Sequence, residues 1–279
     1  MLLEALDQQL HATVRNALEE DLGKGDITAE LVPRDVIAKA KLISRETGVL
    51  CGINWFNTVF QELDDTVQIT WAVQDGETVR PNQILCTLTG PARPLLSGER
   101  TALNFLQTLS GTATLARQYA DAVRDYPAVK ILDTRKTLPG LRAAQKYAVL
   151  TGGCHNHRMG LYDGILIKDN HIRAAGSVEA AIHAARAVNR DVPIEVEVAT
   201  IEQLEEALDA GADILLLDNF DLAGLRAAVA FNAGRAKLEA SGGINLENVA
   251  AVAATEVDYI SIGALTKDVR ALDLSMQFE

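Results

Sequence analysis

Six short apolar runs in the second half of the chain constrain the fold more than any other feature. They are VKILDTRK, GILIKDNH, IEVEVAT, DILLLDNF, KLEASGGI and YISIGALT, and they begin at Val129, Gly164, Ile194, Asp213, Lys237 and Tyr259. Between them the pattern turns helical, as in SVEAAIHAARAV and IEQLEEALDAG. Strands alternating with helices form parallel βα units, because a helical crossover returns the chain to the same end of the sheet. Six such units in succession predict a (β/α) barrel or a large part of one.

In a parallel barrel every C-terminal strand end opens on one mouth, where active sites sit. The polar residues at those ends are Asp133-Thr134-Arg135-Lys136, Lys168-Asp169-Asn170-His171, Glu197, Asp218-Asn219, Ser241-Gly242-Gly243 and Ser261-Ile262-Gly263. An open doubly wound sheet would also gather strand ends, but would not need every strand to contribute.

The first part of the chain reads differently. Leu6, Leu10, Val14 and Leu18 recur at four-residue steps, which predicts a helix ended by GKGDIT. AKAKLISRETGVLCG and VQITWAVQDGETVRPNQILCTLTGP are strand-rich, with Asp75-Gly76 as a hairpin turn between alternating segments. The second stretch resembles the hairpins of biotinyl and lipoyl carrier domains, but no lysine stands at its turn to carry a prosthetic group. From Ser97 to Arg124 the pattern is helical again, with Gly111 inside it. The expected division is an α/β domain over 1–100 and a barrel over 101–267, with the tail 268–279 packing back on the first domain.

Charge then separates the barrel from the rest. The chain carries 26 Lys+Arg against 38 Asp+Glu, a net charge of −12. Residues 133–173 nevertheless hold seven cations against three acids, and His155, His157 and His171 besides. An acidic chain of this kind is a poor partner for nucleic acid or an anionic membrane. A local cation cluster at a barrel mouth instead fits a small, strongly anionic ligand. Arg135, Lys136 and Lys168 are placed for this by their strand ends, whereas Arg142 and Lys146 on the following helix read as solvated surface charges. The short turns SGG and SIG would present backbone N–H groups at helix starts, as a phosphate cradle does. Glu197 and Asp218 are either ion-pair partners of those cations, hydrogen-bond acceptors for sugar hydroxyls, or help in holding a divalent metal.

CHNH at 154–157 has crowded ligands and no second pair at zinc-site spacing. Cys51, Cys86 and Cys154 form no disulfide framework, which suits a reducing compartment. The N-terminal stretch has acids early and no apolar h-region, and no run approaches the length of a membrane span. A soluble cytoplasmic protein is expected.

The stretch DTRKTLPGLRAAQKYAVLTGGCHNHRMGLYDGILIKDNHI resembles the signature region of the quinolinate phosphoribosyltransferases. EDLGKGDITAELV is similar to the family's N-terminal segment, SGERTALNFLQTLSGTAT to its inter-domain helix, and IEVEVAT, LLLDNF, EASGGI and ISIGALT to its later strands. The nicotinate phosphoribosyltransferases share the fold but less of this motif.

The resemblance implies an N-terminal α/β sandwich and a C-terminal open (β/α) barrel. It implies a pentosyl transfer in NAD biosynthesis: quinolinate and phosphoribosyl pyrophosphate give nicotinate mononucleotide, pyrophosphate and carbon dioxide, with Mg2+. It places Arg100, Arg135, His157, Arg158 and Lys168 around quinolinate, with Thr134 also lining the mouth. Lys136, Glu197 and Asp218 would be catalytic, facing the phosphoribosyl group and its pyrophosphate. Ser241, Gly242 and Gly243, with Ser261, Ile262 and Gly263, would hold the 5′-phosphate. Magnesium would be held mainly by the pyrophosphate and water. The working unit would be a homodimer with shared active sites, Arg100 reaching the neighbour's mouth; assembly beyond the dimer is left open. Two other readings stand beside this one: a Schiff-base barrel aldolase using Lys168, and a non-catalytic anion-binding protein.

Overall fold

A computed structural model of the chain describes residues 2–188 and 191–279, with side chains from Gln9 onward. In chain order the elements are α1 (Leu2–Leu22), β1 (Ile37–Ser44), β2 (Gly48–Val49), α2 (Ile53–Leu63), β3 (Gln68–Trp71), β4 (Thr78–Val79), β5 (Ile84–Pro91) and α3 (Ala92–Ala122). Then come β6 (Lys130–Leu132), α4 (Arg142–Thr151), β7 (Ile165–Ile167), α5 (Asp169–Ala175), α6 (Val178–Val188), β8 (Ile194–Val198), α7 (Ile201–Asp209) and β9 (Ile214–Asp218). The last are α8 (Leu222–Asn232), β10 (Lys237–Ser241), α9 (Val249–Ala253), β11 (Tyr259–Ser261), α10 (Ala264–Lys267) and β12 (Leu274–Phe278). All six apolar runs are strands.

The chain divides into two compact units, one of residues 1–117, 137–153 and 268–279, the other of 118–136 and 154–267. In the first, an antiparallel sheet of order β12-β1-β5-β3 is covered by helices, forming an α/β sandwich. Leu10, Val14 and Leu18 bury the predicted face of α1; the side chain of Leu6 lies outside the described residues. Helix α2 is set down by its sequence. Trp55, Phe56, Val59 and Phe60 share one apolar side and are all buried. Its N-terminus lacks a cap of its own and is capped from a distance: the Asp75 carboxylate accepts from Gly52 N at 3.0 Å and Ile53 N at 3.2 Å. The Asp75-Gly76 turn is therefore not the simple hairpin the pattern suggests. β3 pairs with β5, while β4 leaves to pair with β2.

This unit also changes the reading of α4. Helix α4 packs in the sandwich core through Ala144 and Ala148, and Lys146 is fully buried rather than solvated. Arg142 is half-buried. The lysine stands on the side of the helix away from Ala144 and Ala148, so α4 is buried on more than one side, which charge alone does not reveal. The body of α3 belongs to this core through Ala102, Leu103, Leu106, Leu109 and Ala113, so the unit extends along the helix to 117 rather than stopping at 100.

In the second unit all strands run parallel, in the order β6-β11-β10-β9-β8-β7. Alternation along each strand sends one set of residues to the helices and the other inward. Val196, Leu215, Leu217, Leu238 and Ile260 are buried apolar residues, whereas Glu195, Ile214, Glu239 and Tyr259 line one cavity. All six strands contribute to that cavity, so the sheet curls into a barrel. β6 and β7 do not pair; the Cys154–Arg158 segment runs beside β6 instead, through a parallel bridge from Leu132 to His155. The barrel is open at that seam.

Gly111 tests the packing of α3. A Cβ there would lie 2.1 Å from the carbonyl oxygen of Arg270, on the segment leading to β12. Alanine normally favours a helix by up to about 1 kcal/mol over glycine. Overpacking against backbone costs about 1–3 kcal/mol, so Gly111→Ala is expected to lower stability. Urea unfolding followed by circular dichroism measures this; an unchanged or raised midpoint would contradict the close approach.

Candidate active site

The mouth is built on one buried carboxylate. Asp133, at the end of β6, is fully buried and accepts from His157 N at 2.9 Å and from Asn156 Nδ2 at 2.6 Å. These bonds, with Asp133 N donating to His155 O at 3.0 Å, fasten the 154–158 segment to the strand end. Thr134-Arg135-Lys136 and His157-Arg158 are thereby held side by side. CHNH works here as a length of backbone along β6. Cys154 is buried, and His155 lines the cavity at the other end of the barrel.

A cavity of about 200 Å³ opens at the C-terminal strand ends. Thr134, Arg135, Lys136, His157, Arg158 and Lys168 line it from one side of the barrel, and Glu197, Asp218, Ser241 and Ser261 from the other. Ten of the sequence-predicted residues thus meet in one place. Arg100 lies on α3, in the other unit, and is exposed.

Electrostatics follow from this crowding. Burial and the neighbouring Arg135 charge both pull Arg158 below the usual guanidinium value, against Glu195 and Asp163. Two guanidiniums held this close are suited to a ligand with more than one negative charge. Arg158 is braced by its bond to Gly164 O at 3.0 Å. Lys168 makes an ion pair with Glu197, and Asp218 accepts from Asn219 Nδ2 at 2.9 Å. The lysine ending β7 is therefore partly exposed and paired with a carboxylate. A Schiff-base lysine must be free to act as a neutral amine, whereas this one is held by a carboxylate.

The glycine turns differ in part from expectation. Gly242 and Gly243 take φ of +100° and +62°, and a Cβ on Gly242 would meet Asn219 Oδ1 at 2.2 Å, so the turn needs glycine. No helix starts there: Asn245 Oδ1 accepts from Glu247 N and Asn248 N, and α9 begins only at Val249. At the other turn Ile262 is buried and its N–H donates to Leu132 O at 2.9 Å, so Ile262 closes the barrel rather than offering its N–H to a ligand. Gly263 lies against Lys136, whose Cδ would be 3.1 Å from an added Cβ.

Below the mouth the barrel holds residues that strand-end logic does not reach. Glu195 and Glu239 are buried, and His157 Nε2 lies 3.0 Å from Glu195 Oε2 and 3.6 Å from Glu239 Oε2. His157 Nδ1 accepts from Arg158 N at 2.7 Å, so both ring nitrogens are engaged by the protein and Nε2 carries the proton. The sequence signal for the acids was alternation: Glu195 stands two before Glu197, and Glu239 two before Ser241, on the same inward faces.

Comparison with known proteins agrees with the geometry. The family model for the quinolinate phosphoribosyl transferase C-terminal domain matches residues 112–277, and that for the N-terminal domain residues 26–110. A probable nicotinate-nucleotide pyrophosphorylase [carboxylating] of Bacillus subtilis is 44% identical over 96% of this chain and 93% of its own. Its counterpart from Mycobacterium leprae is 46% identical over 95% of each chain. The solved nicotinate-nucleotide pyrophosphorylase of Francisella tularensis superposes with a TM-score of 0.94 at 44% identity, covering 98% of this chain and 96% of that one. With both domains matched in order and the barrel mouth assembled from the signature segment, the chain belongs to the quinolinate phosphoribosyltransferase family.

Proposed function

We propose that this mouth transfers the phosphoribosyl group of phosphoribosyl pyrophosphate to quinolinate and releases carbon dioxide, giving nicotinate mononucleotide for NAD synthesis. The observation that carries the reading is the gathering of Arg135, Lys136, Arg158 and Lys168 around one small cavity in a chain of net charge −12. Both substrates are polyanions, and a site for both must concentrate positive charge. Arg135 and Arg158 receive the two quinolinate carboxylates, with Lys168 at the edge and Thr134 and His157 completing the wall. Lys136 lies beside Gly263, placed to meet phosphate charge.

The chemistry follows from the charges. As pyrophosphate leaves, the anomeric carbon becomes oxocarbenium-like; Lys136 stabilises the departing charge. Glu197 and Asp218 hold the ribose hydroxyls and favour the developing positive charge. The pyridine nitrogen then bonds to the anomeric carbon and becomes cationic. Loss of the adjacent carboxylate as carbon dioxide leaves an electron pair that the cationic ring stabilises.

When bound with phosphoribosyl pyrophosphate, Mg2+ would supply neutralisation of the pyrophosphate charge. The two mouth carboxylates are engaged by Lys168 and Asn219, a donor set that suits a magnesium ion held mainly through substrate phosphates and water. Ser241 with Gly242 and Gly243, and Ser261 with Gly263, form the rim proposed for the 5′-phosphate. Among the described residues no helix is long and apolar enough to cross a membrane. The three cysteines are all buried, and no disulfide joins them, which supports work in the reducing cytoplasm.

The proposed working unit is a homodimer. Leu96 and Arg100 are exposed one turn apart on α3, and Ile27 and Leu31 are each more than four-fifths exposed. Apolar surface of this kind supports a subunit interface, across which Arg100 would serve the partner's mouth.

Arg135→Ala is expected to weaken quinolinate binding tenfold or more, since losing a charge-assisted contact costs about 2–4 kcal/mol. Lysine should rescue poorly for want of the planar fork. Calorimetry with unchanged quinolinate affinity in the alanine variant would remove the assignment.

Subunit mixing tests the shared mouth. Arg100→Ala and Arg135→Ala homodimers should each be nearly inactive. After equal mixing and random exchange, half the dimers pair one variant with the other, and each has one intact site of two. Activity should recover to about a quarter of wild type. Exchange without recovery would mean that Arg100 does not act across the interface.

A further inference from the structure

The reaction proposed above leaves one demand unmet: the carbanion left by decarboxylation needs a proton. Lys168, one ammonium of the mouth, is engaged by Glu197. A second cavity, of about 310 Å³, lies at the N-terminal ends of the strands, with Lys130 and Pro193 exposed at its rim. Three residues line both this lower cavity and the mouth: His157, Arg158 and Glu239. Of these, Glu239 is the acid.

Its surroundings are unusual. Glu239 on β10 and Glu195 on β8 converge on the His157 ring, and one oxygen of each and a His157 nitrogen all lie within 4.8 Å of one another. Glu195 Oε1 and Glu239 Oε1 are buried without hydrogen-bond partners. Two ionised carboxylates in that position would repel each other in a medium that solvates neither. A proton held by one of the two acids relieves this. Ser261 on β11 lines the mouth together with Glu239. Tyr259, in register with it on β11, and Lys130 on β6 stand in the lower cavity with His155 and Asp163. Arg135, Lys168 and Glu197 stand on the mouth side.

We propose that Glu239 is the proton donor of the reaction, delivering its proton from the floor of the mouth and regaining one through Glu195 from solvent in the lower cavity. The step balances. The bond from ring carbon 2 to its carboxylate breaks, carbon dioxide leaves, and the electron pair stays on the ring carbon. The Glu239 O–H bond then breaks, the proton joins that carbon, and Glu239 is left as a carboxylate. Proton return through Glu195 restores the acid. The protonation state fits: burial, then the Glu195 charge, push Glu239 up to about 8, against a smaller opposing influence of His157. Bound dianionic quinolinate acts in the same direction as Glu195.

The assignment rests on the proposed decarboxylating transfer, so the experiment separates the two. Carbon dioxide release from quinolinate plus phosphoribosyl pyrophosphate is measured across pH for wild type, Glu239→Gln and Glu195→Gln, with quinolinate affinity by calorimetry. Wild-type kcat should fall on the alkaline side, near pH 8 or above, because the donor must be protonated. Glu239→Gln should lose that limb and a hundredfold or more of kcat, the range of general acid catalysis, while quinolinate affinity stays within threefold. Glu195→Gln removes one influence raising Glu239, so its alkaline limb should move to lower pH; a purely structural role would not move it.

A Glu239→Gln enzyme within threefold of wild-type kcat would overturn the assignment. So would parallel loss of quinolinate affinity, or an unmoved limb in Glu195→Gln. A stoichiometric metal retained by dialysed wild type and lost in Glu239→Gln would show that the cluster holds a cation rather than a proton. Wild type that releases no carbon dioxide would remove the functional reading and this assignment together.

Discussion

The hydrogen bonds accepted by Asp133 are the interaction on which the site depends. The seam between β6 and β7 leaves the barrel without strand pairing where the mouth needs its most exact placement. Asp133 fills that gap by gripping Asn156 and the His157 backbone from the end of β6. Breaking a buried, hydrogen-bonded charge of this kind typically costs about 3–5 kcal/mol. The arginines brought together by it would be difficult to hold otherwise, because the Arg135 charge weighs against that of Arg158. A rigid seam therefore keeps two like charges side by side, an arrangement suited to a dianion.

The same economy of space explains the vertical order of the barrel. The cations and the carboxylates of Glu197 and Asp218 occupy the rim. Glu195 and Glu239 occupy the layer beneath, where both are buried and burial pushes Glu239 toward its neutral form. His157 joins the layers: its backbone is held by Asp133 and its ring by Arg158 N and Glu195. Parallel strands make this possible, since residues two apart on one strand face inward at successive depths.

Much of the architecture was legible in the sequence. The six strands were readable because apolar runs alternating with helical stretches admit few other folds, and parallel topology then predicted which residues would meet. Other features depend on tertiary partners that periodicity does not encode. Lys146 looks like a surface charge until α4 is seen buried on more than one side. The Ser241-Gly242-Gly243 turn looks like a helix start until Asn245 is seen delaying α9 to Val249. Ile262 looks like part of a phosphate cradle until its N–H is traced to Leu132. Glu195 and Glu239 were within reach of alternation, but strand-end logic stops one layer above them. The extent of α3 within the first unit was hidden because its helical pattern continues without a break at 100.

The most direct test of the account is the fate of the carboxylate beside the pyridine nitrogen. Quinolinate labelled at that carboxyl is incubated with the enzyme and magnesium, with and without phosphoribosyl pyrophosphate, and labelled carbon dioxide and pyrophosphate are counted. The account predicts no release without phosphoribosyl pyrophosphate and one carbon dioxide per pyrophosphate with it, since the ring must become cationic before it can accept the electron pair. Carbon dioxide released from quinolinate alone, or pyrophosphate formed without carbon dioxide, would contradict it.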